Sequence, residues 1–326
     1  MHLLIPFAAA SAPGCRQALA DLRLPNLERL LAQLAPVAAD AAAPAGEADE
    51  LSLSPPHERA LARALGLPAA DGAIPWAALE AARGGAADGA DAGAAWAFVT
   101  PCHWMIGADH ITLADPSMLR LDAAGSRQLL ALLAPYCADD GIALRYAAPT
   151  RWLARGEAFR GLATASLDRV AGRNIDLWMP DAPQARSLRR LQSEMQMLLY
   201  THPWTEARAE AGLPAVNSLW FSGTGALPPG WTPPPGPEPV VPAGLRDAGL
   251  REDWAAWRAA WERIDAGECA ALRAAADAGR PAALTLCGER AALAFAAGAE
   301  GALGRWRRKI SGLFGGQRLQ DLQDVL

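Results

Sequence analysis

Apolar positions recur with a period near 3.6 in some stretches of the chain and near 2 in others, which divides it into helices and strands. Leu27, Leu30, Leu31 and Leu34 fall at i, i+3, i+4 and i+7. They predict a helix over Pro25–Leu34, with Pro25 suited to its first turn. Arg186–Thr201 carries the cleanest stripe: Leu188, Leu191, Met195, Leu198 and Leu199 share a face, leaving Arg189, Arg190 and Glu194 to solvent. Asp122 predicts a cap for a helix through Ala134, and Ser54-Pro55-Pro56 a cap for one reaching about Leu65. Trp254, Trp257, Trp261 and Ile264, at i, i+3, i+7 and i+10, predict a helix whose tryptophan stripe belongs to a core.

Short β-branched or aromatic runs between turn residues predict strands at 96–100, 111–114, 142–146 and 216–221. Residues 2–9 read as a buried strand followed by a turn at Pro13-Gly14. Residues 283–287 and 291–295 read as a hairpin joined by Gly288-Glu289-Arg290. Three stretches lack a period. Residues 38–53 read as a linker, 84–95 as a flexible Gly/Ala/Asp stretch, and the proline-dense 226–242 as a rigid connection between domains. The expected organisation is an N-terminal α/β segment 1–94, a module 95–228, and a C-terminal segment 229–326. Segments 1–94 and 229–326 are candidates for one lobe.

Composition narrows the classes. At 52% hydrophobic and 20% charged residues the chain can bury a large core, which excludes dominant disorder. A net charge of -5 supplies no basic field for a nucleic-acid backbone. No charge-free apolar run reaches the roughly 18 residues of a membrane span, so neither partner is expected. Lys309 is the only lysine among 30 basic residues, a compositional bias that weakens arguments from arginine clusters. The basic run Arg305–Lys309 accordingly reads as a solvated face. Five cysteines (Cys15, Cys102, Cys137, Cys269, Cys287) form no C-x-x-C pair, which suits a reducing cytoplasm. Met1–Cys15 has no basic n-region, and Pro6 and Pro13 interrupt its apolar run, so export is not expected.

The densest polar cluster is Cys102-His103-Trp104, Asp109-His110 and Asp115. Cys102, His103, His110 and an aspartate are possible Zn²⁺ ligands, although the spacing matches no established zinc pattern. The bland alternative is a histidine donating to a main-chain carbonyl. Gly223-Thr224-Gly225 follows a strand, and its amides are candidates to cradle an anion or simply to make a tight turn. His202 ends a helix, where the helix dipole favours it whether or not it is functional. Arg208 and Asn217 follow.

The order of these residues resembles the archaeal-type cofactor-independent phosphoglycerate mutases, a branch of the alkaline phosphatase superfamily. Residues 164–175 (TASLDRVAGRNI) resemble the family's T-P-P-H-D-I-x-G-K-x-I segment, which places Asp168 among the candidates. His202-Pro203-Trp204-Thr205-Glu206-Ala207-Arg208 with 212–217 (GLPAVN) resembles its H-P-V-N-x-x-R…G-K-x-P-A-N run. Residues 218–225 (SLWFSGTG) resemble its I-W-L-W-G-x-G strand and turn. Pro25–Leu30 resembles the superfamily's P-N-L-D-R-L helix. The chain as a whole is similar to bacterial proteins labelled phosphoglycerate mutase or RpfE-type regulatory protein. The resemblance implies a mixed α/β sheet flanked by helices, with a reduced alkaline-phosphatase-like framework and an inserted α/β module.

The resemblance also implies two divalent metals, and here the sequence departs from it. The first strand ends Ile5-Pro6-Phe7-Ala8 where the family has an aspartate turn. No histidine follows residue 228. The histidine of T-P-P-H-D is Leu167, and the asparagine of H-P-V-N is Thr205. The expected function is therefore a non-catalytic regulatory or binding protein recognising a small phosphorylated metabolite through His202, Arg208, Asn217, Gly223, Thr224, Gly225 and Asp168. No cofactor is expected on this reading. One alternative is a Mn²⁺- or Mg²⁺-dependent mutase or phosphatase with ligands relocated to His103, Asp109, His110 and His202. The other is a protein-interaction module using Trp254, Trp257 and Trp261.

Overall fold

His2–Ile5 forms the first strand, β1, because Leu3, Leu4 and Ile5 are fully buried and need strand partners for their main-chain groups. A computed structural model describes residues 1–37, 51–85, 91, 93–180, 183–297 and 319–326. The linker 38–50 and the basic run at 305–309 lie outside the described residues. The chain divides into two units. The first comprises residues 1–51, 55–66 and 234–326, and the second comprises 52–54 and 67–233.

In the first unit a four-stranded sheet has the order β1, β9 (Ala283–Cys287), β10 (Ala292–Ala296), β2 (Ala35–Val37). β1 and β9 are parallel, whereas β9–β10 is an antiparallel hairpin. The helices are α1 (Pro13–Ala20), α2 (Pro25–Gln33), α3 (Pro56–Ala64), α9 (Gly244–Leu250), α10 (Trp254–Ile264), α11 (Ala270–Asp277) and a short α12 (Leu319–Leu322). Leu3 and Ile5 of β1 and Leu284 and Leu286 of β9 face one core. There they meet Leu27, Leu30 and Leu31 of α2 and Trp257 and Trp261 of α10. The proline-rich connection is anchored. Val240 donates to His2 O (2.8 Å) and accepts from Leu4 N (2.9 Å), so it pairs with the free edge of β1.

The second unit holds an antiparallel sheet of order β6 (Ala143–Ala148), β7 (Arg151–Arg155), β3 (Trp96–Cys102), β8 (Ser218–Gly225). The period of two sorts its side chains into layers. Ala97, Val99, Trp152, Ala154, Leu219 and Phe221 pack on one face with residues of α5 (Ala123–Asp139) and α7 (Arg186–Thr201). Trp96 and Leu153 join Ala77, Ala78 and Ala81 of α4 (Trp76–Arg83) in a separate cluster. The architecture is mixed α/β, sheets flanked by helices. A two-stranded ribbon, β4 (Trp104–Ile106) with β5 (Ile111–Leu113), and two further helices, α6 (Leu167–Val170) and α8 (Pro203–Glu210), complete this unit. Among the described residues no helix is long and apolar enough to cross a membrane.

Several expectations change. Helix α5 does not stop at Ala134 but runs through Pro135 to Asp139. Pro135 is exposed and Cys137 extends the buried face of Leu129 and Leu133, so the hydrogen bond that proline removes is lost on the solvent side. Ser54 does not cap α3; its hydroxyl accepts from Gly72 N at 2.9 Å. Residues 67–94 group with the second unit, since α4 packs on β3 and β8. Of the stretch 84–95, residues 86–90 and 92 lie outside the described residues, and Asp91 is buried between Arg145 (2.7 Å) and Arg155. Strands β4 and β7 carry no expectation from the sequence.

All five cysteines are unpaired and buried. Burial pushes the Cys137 thiol up to about 12, with Asp140 adding to the shift, and pushes Cys102, Cys269 and Cys287 upward as well. A raised pKa starves the reactive thiolate. An aromatic disulfide reagent at pH 8 is therefore expected to modify no thiol in the native protein and five after denaturation. Rapid modification of the native protein would contradict this packing.

Candidate functional site

In the second unit two of the three motif-bearing stretches are drawn together by their own polar groups. Thr224 is fully buried. Its hydroxyl donates to Leu162 O at 2.5 Å and lies 3.0 Å from the Thr164 hydroxyl. The Trp220 indole donates to Ala165 O at 3.1 Å. Residues 218–225 are thereby stapled to the start of the 164–175 stretch. The far end of that stretch pairs with β5, through Gly172 N to Leu113 O (2.7 Å) and Ile175 N to Ile111 O (2.9 Å).

Gly223-Thr224-Gly225 does not form a turn after a strand; it lies within β8. The β3–β8 register shifts between Trp96 and Phe98, which places these residues at a bulge. Gly223 has φ +60°, and a Cβ there would lie 2.9 Å from the Phe98 ring and 3.1 Å from Trp76 Cβ. Its glycine serves backbone conformation and close packing.

Arg208, on α8, is only 8% exposed. Its Nη2 donates to Leu119 O (2.6 Å) and Pro214 O (2.9 Å), and its Nε to Pro214 O (3.1 Å). The guanidinium stands over the Trp204 ring at 5.2 Å. Burial, with the charge of Arg120 second, moves its pKa below the ordinary arginine value, and Asp122 opposes the shift. Asn217 copies a strand partner: Oδ1 accepts from Trp104 N (2.7 Å) and Nδ2 donates to Trp104 O (3.0 Å). His202 caps α8, its Nδ1 accepting from Trp204 N at 3.1 Å. Asp168 is buried at the start of α6, where its N–H donates to the Ser166 hydroxyl. The side-chain contacts of Arg208, Asn217 and His202 position main chain.

The candidate metal ligands do not converge. His103 sits at the base of the β4–β5 ribbon, Nδ1 2.9 Å from Ala215 O. Asp109 and His110 pair with each other at its exposed tip (2.7 Å). Three strand residues intervene, about 10 Å at the usual rise. Among the described residues, no group of three ligating side chains close enough to share an ion includes His103, Asp109, His110 or His202.

In the first unit, the loop after β1 takes a form the sequence does not announce. Phe7 has φ +53°. Trp257 Nε1 donates to Phe7 O (2.9 Å), Trp261 Nε1 donates to Ala8 O (3.3 Å), and Ala8 N donates to Cys287 O (2.8 Å). Trp257 and Trp261 are 0% exposed, so the tryptophan stripe is interior and these two indoles offer no surface to a partner. Spacing identified the stripe as core, but not that its N–H groups hold the loop. A second residue that the sequence does not mark is Asp265, whose carboxylate accepts from Leu27 N (2.7 Å) at the start of α2.

No family model matches the sequence, nor does any curated protein. Among solved structures, the chain is similar to the cofactor-independent phosphoglycerate mutase from Thermoplasma acidophilum DSM 1728. The two share 14% identity, over 90% of this chain and 88% of that one, with a TM-score of 0.36. It is also similar to the PH0037 protein from Pyrococcus horikoshii, at 13% identity over 91% of this chain and 87% of that one, with a TM-score of 0.42.

Proposed function

We propose that the chain is a non-catalytic binding protein with a regulatory role, derived from a phosphoglycerate-mutase-like ancestor and acting in a reducing compartment. Its ligand class is a small phosphorylated metabolite. The observation that carries the reading is the loop after β1. Two-metal phosphoryl transfer needs carboxylates and imidazoles around both cations to stabilise the attacking and leaving oxygens. At Pro6-Phe7-Ala8 there is no carboxylate, and the loop carbonyls accept from two buried tryptophans. The motif-matching polar residues support the non-catalytic part of the reading, because Arg208, Asn217 and Thr224 spend hydrogen bonds on main-chain carbonyls and amides. The frame of the ancestral module is kept, and these residues hold it.

The test is a thermal-shift titration of the full chain with phosphorylated three-carbon acids, with and without Mn²⁺. A ligand at 100 times its dissociation constant stabilises the folded state by about 2.7 kcal/mol. The expected result is a metabolite shift that is unchanged by Mn²⁺ or chelator. A shift requiring Mn²⁺ would restore the enzyme reading, and no shift with any of these acids would remove the ligand class.

A further inference from the structure

Arg208 is a buried cation with no carboxylate to answer it. Among the described residues neither Arg208 nor Arg120 makes an ion pair, and the hydrogen bonds of both run to main-chain carbonyls. Buried arginines are ordinarily paired. The acid that acts on Arg208, Asp122, is committed to the cap of α5, where its Oδ1 accepts from Gly125 N at 2.7 Å.

The chain sets a second cation beside it. Arg208 Nη2 donates to Leu119 O, the carbonyl of the peptide bond that joins Leu119 to Arg120. Arg120 Nη2 donates to Gly212 O (2.7 Å), and Arg208 to Pro214 O, two residues further along the same loop. Two residues span at most about 7 Å. After burial, the charge of Arg120 is what lowers the Arg208 pKa, so the two guanidinium groups repel. Arg120 is exposed and has φ +48°, where glycine would fit without cost and an arginine does not. Its Nε and Nη1 meet no acceptor among the described residues. An anion at this place would offset the repulsion.

We propose that Arg120, with the fixed charge of Arg208 behind it, forms an oxyanion seat for a phosphate group. Arg120 makes the contact, since its planar fork matches two phosphate oxygens. Arg208 holds the loop and contributes charge. The proposal rests on the ligand class proposed above and assigns the phosphate of that ligand to this place on the second unit.

The test is calorimetric titration of the full chain with inorganic phosphate at low ionic strength, where charge attraction is least screened. Arg120→Gly removes the guanidinium and suits the positive φ, so its melting temperature without phosphate should change little. It is expected to weaken phosphate binding about tenfold or more, because a charged hydrogen-bond donor is lost. Arg23→Ala, at an exposed arginine of the first unit, should bind as the unchanged chain does. Glycerate, which has a carboxylate and no phosphate, should not compete. If Arg120→Gly does not fold, Arg120→Lys is read in its place, with an expected loss of about threefold from the missing fork. No measurable binding by the unchanged chain, equal binding by the Arg120 variant, an equal loss in Arg23→Ala, or competition by glycerate would each overturn the seat. The ligand class is judged separately. If Arg120→Gly keeps the full melting shift with phosphorylated three-carbon acids, the class stands and the seat fails. If phosphate binding depends on Arg120 but none of the acids shifts the unchanged chain, the seat stands and the class fails.

Discussion

Replacing Asp265 by alanine is expected to destabilise the first unit by about 2–4 kcal/mol, the largest effect of any single polar substitution there. Helix α2 begins without a side-chain cap of its own. Its first amides are instead met by Asp265, with Oδ1 accepting from Leu27 N at 2.7 Å and Oδ2 from Asn26 N at 3.2 Å. The Asn26 amide closes the contact by donating to Asp265 O (3.0 Å) and Oδ2 (3.2 Å). The carboxylate is presented by a π-helical turn, Asp265–Cys269, between α10 and α11. An extra residue in such a turn re-aims the side chain. Alanine leaves buried N–H groups unmet and removes a negative charge from a helix N-terminus, where it is favourable. Asparagine keeps one acceptor and should lose about half as much. Thermal denaturation followed by circular dichroism checks this: the first unit's transition should fall by several degrees. A change below about 0.5 kcal/mol for Asp265→Ala would mean that α2 is capped some other way.

Arg208→Ala is expected to cost the second unit about 2–4 kcal/mol, and Arg208→Lys to recover little of it. The guanidinium joins the carbonyls of Leu119 and Pro214, which lie on separate segments. Hydrogen bonds from a charged group contribute about 1.5–3 kcal/mol each, less when they act together. Lysine offers one point charge where the planar fork reaches two directions. The discriminating readout is the pairing of stability with ligand response. If Arg208 serves the frame, Arg208→Lys melts early but keeps the metabolite shift of the unchanged protein when measured well below its own transition. If Arg208 instead grips the ligand, the shift disappears while the melting temperature without ligand barely moves.

Where the fold was legible, the sequence signal was local. The leucines of α2 and the stripe of α7 bury the residues their spacing selects, and 283–295 forms a hairpin with the turn at Gly288–Arg290. Where it was not, the deciding partner was far away in the chain. Asp265 meets Asn26 across 239 positions, and nothing near either residue predicts the other. Asp91 lies in an alanine- and glycine-rich stretch that reads as flexible, yet two arginines on β6 and β7 fix it. Strand β7 was hidden because Arg151 and Arg155 flank only three apolar residues, Trp152 to Ala154. Gly223 and Gly225 suggested a turn because glycine commonly supplies positive φ in turns, but a strand bulge uses the same property.

The candidate site divides in the same way. Motif order along the chain located Thr224, Arg208 and Asn217, which the fold does engage. What it could not supply was the direction of each hydrogen bond, and those bonds run to main chain. The short spacing of His103, Asp109 and His110 suggested one cluster, but a strand pair holds His103 at one end of a ribbon and the other two at its tip.

The most direct test of the central claim is turnover. The full chain is incubated with Mn²⁺ and 3-phosphoglycerate, and 2-phosphoglycerate is followed by phosphorus NMR. The account predicts no conversion above that of a protein-free control, because no carboxylate stands in the loop after β1 and, among the described residues, His103, Asp109, His110 and His202 join no group of ligands close enough to share an ion. Conversion at about 1 s⁻¹ or faster, within the ordinary range of enzymes, and abolished by chelator, would contradict it.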